Sequence, residues 1–409
     1  MSQGYRARLL ALVIPAVCVG VACSLILMIV DVLAEQLQHV LWDHLPAALG
    51  IGGEPAWWTI LILTLTGALV GAVVWRFPGG AGPDPATEGL VGPPLPTTTV
   101  PGLLVAAVLA LAGGVSLGPE NPVTAANITV AATLGLRLLP GVAGEVWIGL
   151  AAAGTIGALF GTPVAAALIL SEMLVGQSDV PLWDRLSAPL LAAGVGALTT
   201  VVVAQPEMQI NLPAYRGFRA IDLLSGSIIA LAACAAGLCI VYAFLRFHSA
   251  FQRLRHPFVR LVLGGLLLGV LGAVGGRITL FKGLAEMKQL VADDYGGGRM
   301  LWILLVKSAA LLIAATCGFR GGRIFPAVFI GVAAGLLAHD IAGSVPVSLA
   351  VASALLGVLV ATTRQGWLSL FMAVTVAADI TLLPVLCVIL IPAWLLATGR
   401  PEMRIEAEH

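Results

Sequence analysis

An all-helical fold that crosses a membrane many times is what this sequence predicts, on three observations. Of 409 residues, 59% are hydrophobic and 10% charged, with mean hydropathy +1.02; a soluble domain carries about 25% charged residues. Apolar runs recur along the whole chain and are cut by glycine and proline. Glycine itself reaches 48 residues, an excess that suits close helix packing and interrupted helices in a bilayer.

The apolar runs fall near 9–34, 57–77, 100–117, 122–139, 146–174, 187–204, 221–245, 258–275, 301–317, 324–338, 346–361 and 367–397. Arg6 and Arg8 precede the first run, which is too long for a signal-peptide core and reads as an uncleaved span. Several other runs are shorter than the ~20 residues of a full span. The run 146–174 breaks at Gly161-Thr162-Pro163, and the run 367–397 breaks between Asp379 and Pro384. Interrupted helices at membrane depth are tolerated where the irregular backbone lines a buried site. Polar, proline-rich stretches at 79–99 and 205–219 read as loops, the second a junction between two halves. A cluster of Arg246, Arg253, Arg255 and Arg260, with Arg6 and Arg8, places the N-terminus and the mid-chain loop in the cytoplasm.

Net charge is zero, which removes the electrostatic case for nucleic acid. The six cysteines lie in apolar runs without ligand spacing, and the six histidines are scattered, so no metal and no cofactor is expected. No His-Glu-x-x-His, Gly-x-Ser-x-Gly or aspartate pair lies in the spans, which argues against an intramembrane enzyme.

One frame occurs twice. Gly118-Pro119-Glu120-Asn121-Pro122 opens an apolar run, and Gly322-Arg323-Ile324-Phe325-Pro326 does the same 204 residues later (322 − 118). A second echo, Gly157 to Thr162 against Gly357 to Thr362, is offset by 200. Together they point to a duplicated fold, with repeats at 1–210 and 211–401 and a short polar tail at 402–409. A helix start offers unpaired N–H groups and about half a positive charge, so two converging starts make a site for a small anion. The proline sits in the first turn, where a missing N–H costs nothing. Glu120, a carboxylate at membrane depth, is expensive unless it has a task. It can occupy the anion's place at its own helix end and leave when protonated. Glu172 is either an internal proton relay or a solvated charge at a helix end near polar Gln177 and Ser178. Arg323 either adds positive field to the anion path or anchors a helix end. A carrier of organic solutes would also use broken helices.

On these residues the chain resembles the CLC chloride channel and anion/proton antiporter family. The family's gating Gly-x-Glu-Gly-Pro resembles Gly118 to Pro122, its Gly-x-Phe-x-Pro resembles Gly322 to Pro326, and its Gly-Ser-Gly-Ile-Pro is faintly visible as Gly80-Ala81-Gly82-Pro83-Asp84. The likeness covers roughly Leu9 to Pro401 and is to a divergent bacterial branch of ion-transport proteins. It implies the CLC-type fold of two inverted repeats, a homodimer in the bacterial inner membrane, and no cytoplasmic regulatory domain after Pro401. It implies anion contacts from Gly80, Ala81, Gly82, Gly118, Glu120, Asn121, Gly322, Arg323, Ile324 and Phe325, with Glu172 at the family's internal proton glutamate. The family's serine and tyrosine hydroxyls fall on Ala81 and about Met403, so both are missing here. The expected function is transport of a chloride-like anion coupled to proton antiport. A passive anion channel and a fluoride/proton antiporter of the same fold are the alternatives.

Overall fold

The computed structural model describes residues 2–53, 55–174, 181–204, 208–293 and 295–405. Gln177, Ser178, the first residues of the 205–219 loop, the end of the 402–409 tail and the side chains of Arg6 and Arg8 lie outside the described residues. Among the described residues the chain is helical without a strand, with one isolated bridge between Gly118 and Gly322.

The helices run in two series. The first is α1 (Ser2–His39), α2 (Leu45–Ala48), α3 (Ala56–Arg76), α4 (Val100–Ala112), α5 (Glu120–Leu138), α6 (Gly144–Phe160), α7 (Pro163–Leu174) and α8 (Leu182–Val203). The second is α9 (Ala220–Gln252), α10 (Pro257–Gly275), α11 (Leu284–Ala292), α12 (Gly297–Thr316), α13 (Ile324–Ile341), α14 (Val347–Thr363), α15 (Gly366–Ala377) and α16 (Leu383–Ala397). Among the described residues, eight helical stretches are long and apolar enough to cross a bilayer, and five shorter apolar helices stand with them.

The second series repeats the first: α9 answers α1, α10 answers α3, and α12 to α16 answer α4 to α8. Three contacts join equivalent parts. α3 packs on α10, α7 packs on α15, and Gly118 and Gly322 exchange both backbone hydrogen bonds at 2.9 and 2.7 Å. A contact in which each partner is the other's counterpart requires a two-fold relation, here that of an inverted repeat. The α3–α10 crossing has the same reciprocity. A Cβ on Gly67 would stand 2.3 Å from the Leu261 carbonyl oxygen, and one on Gly265 would stand 2.3 Å from that of Leu63. Only glycine permits this approach.

The breaks fall where expected. α6 ends at Gly161, which takes the left-handed conformation (φ +66°), before Pro163 restarts the chain as α7. α15 ends at Ala377 and α16 begins at Leu383, with Pro384 in its first turn. Three features differ from the sequence reading. α1 extends well past residue 34, passing through a π turn at Val40–His44 into α2. The short α11 follows the second half's own irregular loop and has no apolar run to announce it. The second echo is out of register by nearly one turn. The αL caps of α6 and α14 are Gly161 and Arg364, an offset of 203 (364 − 161). The counterpart of Gly357 is therefore Gly154, not Gly157. Gly154 packs on α1 at Gly20 and Cys23, and Gly357 packs on the equivalent α9 at Ala230 and Cys234.

α13 and α14 form the centre. α14 is buried from Ser348 to Thr362, and α13 from Ile324 to Ala333. α1, α8 and α16 present large apolar side chains outward, such as Ile14, Val202 and Leu395, as a lipid-facing shell does. Buried Lys307 on α12 donates to the carbonyls of Thr279, Leu280 and Phe281 at 3.2, 2.8 and 2.8 Å. That grip fixes the loop carrying Lys282, whose Nζ meets Asp31 of α1 at 3.0 Å.

Candidate functional site

α5 and α13 begin within reach of each other because the Gly118–Gly322 exchange clamps the chain just ahead of both. Each helix has proline at its third position, Pro122 and Pro326, so the exposed donors of the first turn are the amides of the two residues before it. Glu120 is the first residue of α5. Its Oε1 accepts from the N–H of Ile324 at 2.7 Å and of Phe325 at 3.4 Å. The carboxyl thus closes the N-terminus of α13, not of its own helix. It is a correction to the sequence reading, and its cause is the two-fold clamp, which a local motif does not encode.

Glu120 is fully buried, and its Oε2 has no hydrogen-bond partner among the described residues. The two glycines make room for it. A Cβ on Gly118 would sit 1.9 Å from Oε2, and one on Gly322 would sit 2.1 Å from the carboxyl carbon. Any side chain at either position would expel the carboxyl.

Two cavities flank this point. One, of ≈ 100 Å³, is lined by Asn121, Arg323, Ile324, Thr362, Met403 and Arg404 among others. The second, of ≈ 550 Å³, is lined by Asp31, Glu35, Pro119, Lys282, Lys288 and Phe325 among others. Glu120 lines neither, while Asn121 and Ile324 line the first and Pro119 and Phe325 line the second. The carboxyl is the partition. The Phe325 ring continues it, packing on Phe160, which in turn packs on Phe371 (centroids 6.2 and 5.8 Å).

Asn121 is buried and lines the first cavity with no hydrogen bond from its amide to the described protein. Arg323 anchors a helix end, one of the two roles the sequence left open. Its guanidinium donates to the backbone oxygens of Glu88 (2.6 Å) and Met403, which anchors the start of α13, and it also lines the first cavity. Met403 stands on the wall of that cavity and supplies no hydroxyl.

The loop with Gly80, Ala81 and Gly82 behaves otherwise. The Gly80 and Gly82 amides bond to Phe77 O and Gly79 O inside the loop, both at 3.1 Å. Their carbonyls, with that of Pro83, accept from Arg320 at 2.7, 2.9 and 2.7 Å. Ala81 is buried at φ +54°, and none of the three lines the first cavity; Gly89 and Leu90, further along the loop, do. The structure does not bring Gly80, Ala81 and Gly82 to the cluster around Glu120. Their turn spends two of the three amides, those of Gly80 and Gly82.

Glu172, near the end of α7, accepts from the N–H groups of Gly366 (3.1 Å) and Trp367 (3.3 Å), and so closes the N-terminus of α15. It is not among the residues lining the first cavity. Sequence reasoning passed over Arg320, Glu88, Lys282 and Lys307. A charge inside or beside an apolar run was the available signal for each.

Broken helices around two cavities, parted by a buried carboxyl on a helix N-terminus, define a polytopic membrane transporter of ions. The chain belongs to the voltage-gated chloride channel family, whose model matches residues 66–398, and anion transport is the business of that family. It is 51% identical over 402 residues, 98% of this chain and 96% of the relative, to the Escherichia coli (strain 55989 / EAEC) "Putative ion-transport protein YfeO". The protein of that name in Shigella boydii serotype 18 matches at the same identity and coverage. Among solved structures, a slow cyanobacterial Cl⁻/H⁺ antiporter superposes with TM-score 0.82 at 18% identity, and a CLC-type fluoride/proton antiporter with TM-score 0.77 at 20%. Each match covers 96% of both chains. These two share the fold.

Proposed function

We propose that this protein exchanges a small, chloride-like inorganic anion for protons across the bacterial inner membrane, with Glu120 as the gate. The observation that carries the reading is the 2.7 Å hydrogen bond from the Ile324 N–H to Glu120 Oε1. A carboxylate and a small anion are alike to a helix N-terminus, which offers both the same N–H groups and partial positive charge. Two like charges do not share those donors, so anion and carboxylate compete. Protonation removes the charge of Glu120, weakens its hold on α13 and opens the partition; ionisation closes it. One side chain thereby ties anion passage to proton movement.

On this reading the anion's partners are the backbone N–H groups of Ile324 and Phe325, the Asn121 amide and the field of Arg323, between Gly118 and Gly322. Asn121 supplies a side-chain donor where the hydroxyls at Ala81 and Met403 are missing. Glu172, the alternative candidate for an internal proton relay, would have to release α15 at each turnover, and a Glu172→Gln protein with coupling retained removes it from that role. Arg323, on the wall of the first cavity, stacks over Phe244 of α9 at 5.7 Å, and the arginine cluster at Arg246, Arg253, Arg255 and Arg260 begins two residues further along that helix. The positive-inside rule then makes that cavity cytoplasmic, with the N-terminus, and the Lys282 cavity external. The chain divides into repeats at 1–210 and 211–401 and works as a homodimer with one pathway per subunit.

The test is flux from proteoliposomes holding purified protein, with chloride, nitrate and fluoride compared with and without a pH gradient. The expected result is that an anion gradient drives protons uphill. Anion flux without uphill protons would establish a passive channel; the strongest coupling with fluoride would establish a fluoride/proton antiporter. No anion flux under any gradient would overturn the reading.

A further inference from the structure

Between Pro83 and Pro96 the loop after α3 turns along the wall of the first cavity, and Glu88 sits in it. Its backbone oxygen accepts from Arg323, its successors Gly89 and Leu90 line the cavity, and its half-buried carboxyl makes no hydrogen bond or ion pair among the described residues. The cations near it are committed elsewhere. Arg320 binds the carbonyls of Gly80, Gly82 and Pro83, and Arg323 binds those of Glu88 and Met403. Asp84, the other acid of the loop, is paired with His248 at 3.0 Å and Gln252 at 2.5 Å, and Gln252 is held by Arg260. Glu402 and Arg404, on the same cavity wall, lie 3.5 Å apart as a pair. Among the described residues Glu88 is the one acid by this wall left without a bonded partner, since Glu172 is spent on α15.

Arg323 connects it to the gate. Its side chain holds the Glu88 main chain, and the next amide along, that of Ile324, holds Glu120. Its charge acts on both carboxyls. Resting on the gate reading above, we propose that Glu88 is the proton-carrying group on the Arg323 side of the partition, delivering protons through the first cavity to Glu120. The transfer is balanced: the Glu88 carboxylic acid loses its O–H proton, the Glu120 carboxylate gains it, and the site's net charge is unchanged. The first cavity, of ≈ 100 Å³, is lined by Gly89, the residue after Glu88, and by Asn121, the residue after Glu120, and has room for water between them. Burial pushes the Glu88 carboxyl up to about 7, against the opposing pull of Arg320 and Arg323 and with a smaller push from Asp84. The group therefore changes charge near neutral pH: acid below, carboxylate above.

The experiment compares wild type, Glu88→Gln, Glu88→Asp and Glu172→Gln in proteoliposomes, measuring anion flux and uphill proton movement as the pH on the Arg323 side is varied. Glu88→Gln is expected to keep anion flux and to lose proton movement by roughly tenfold or more, the scale of losing a positioned proton donor. Glu88→Asp, which keeps a titratable carboxyl, is expected to restore part of it. In wild type, proton delivery falls as pH rises through about 7, and Glu88→Gln lacks that decline. A Glu88→Gln protein that moves protons like wild type, with the same pH profile, overturns the assignment and leaves the gate reading intact. A wild type that moves no protons uphill overturns both.

Discussion

Two glutamates of the first half each close the start of a helix in the second half, in opposite surroundings. Glu120 reaches α13 from the start of α5, and Glu172 reaches α15 from the end of α7. Glu172 is half-buried and satisfies both of its oxygens, one on each amide. Glu120 is fully buried between the two cavities, leans on one oxygen and leaves the other unpaired among the described residues. A cap with both oxygens satisfied at a partly solvated edge is at rest. A buried carboxylate with an unpaired oxygen is held at a cost that desolvation sets, and protonation or an incoming anion releases it. The same bond is a fastening in one place and a latch in the other.

Placing a methyl group beside the latch breaks the comparison most severely. Gly322→Ala puts a Cβ 2.1 Å from the Glu120 carboxyl carbon, so the carboxyl is displaced. We expect anion flux that no longer responds to pH and a stability loss of about 1–3 kcal/mol from overpacking. Adding Glu120→Gly to this variant is expected to recover most of that stability in thermal unfolding, because the colliding group is gone. Lys307→Met acts on stability alone, leaving the carbonyls of Thr279, Leu280 and Phe281 without their buried donor. Its expected cost is about 2–3 kcal/mol, read as a lower melting temperature, with loss of the Lys282–Asp31 pair at the second cavity. The mildest change is at the fastening. Glu172→Gln keeps an acceptor near the α15 amides and is expected to cost about 0.5–1 kcal/mol, with proton coupling retained. A large coupling loss there would make Glu172 a second latch and erase the contrast.

The parts of this architecture that were legible in the sequence are those with local signals. A carboxylate between two apolar runs marked Glu120, and Gly161-Thr162-Pro163 and Pro384 marked breaks, because glycine and proline act on the residues beside them. The two Gly-x-x-x-Pro frames gave the duplication at its true offset of 204. What escaped depends on contacts between distant residues. The Glu120 carboxyl lands on the other half's helix because Gly118 and Gly322 pair, a bond formed across 204 positions. The Gly157–Gly357 echo misled by a turn because small residues recur throughout α6, and only packing on α1 and α9 distinguishes Gly154 from Gly157. The family resemblance put Gly80, Ala81 and Gly82 at the anion, yet buried Arg320 draws the carbonyls of Gly80 and Gly82 inward and the turn consumes two of the three amides. Glu88 drew no notice beside Glu120 because its meaning comes from Arg323, which lies in the other half.

Competition between the Glu120 carboxylate and an anion for the Ile324 amide is the central claim, and anion binding tests it without flux. Purified wild type and Glu120→Gln protein would be titrated with chloride and with fluoride by calorimetry at pH 5 and pH 8. Wild type is predicted to bind more tightly at pH 5 than at pH 8, since protonation withdraws the competing charge. Glu120→Gln is predicted to bind as tightly at both. Equal affinities for the two proteins at both pH values would show that the carboxyl and the anion do not share a place, and would contradict the account.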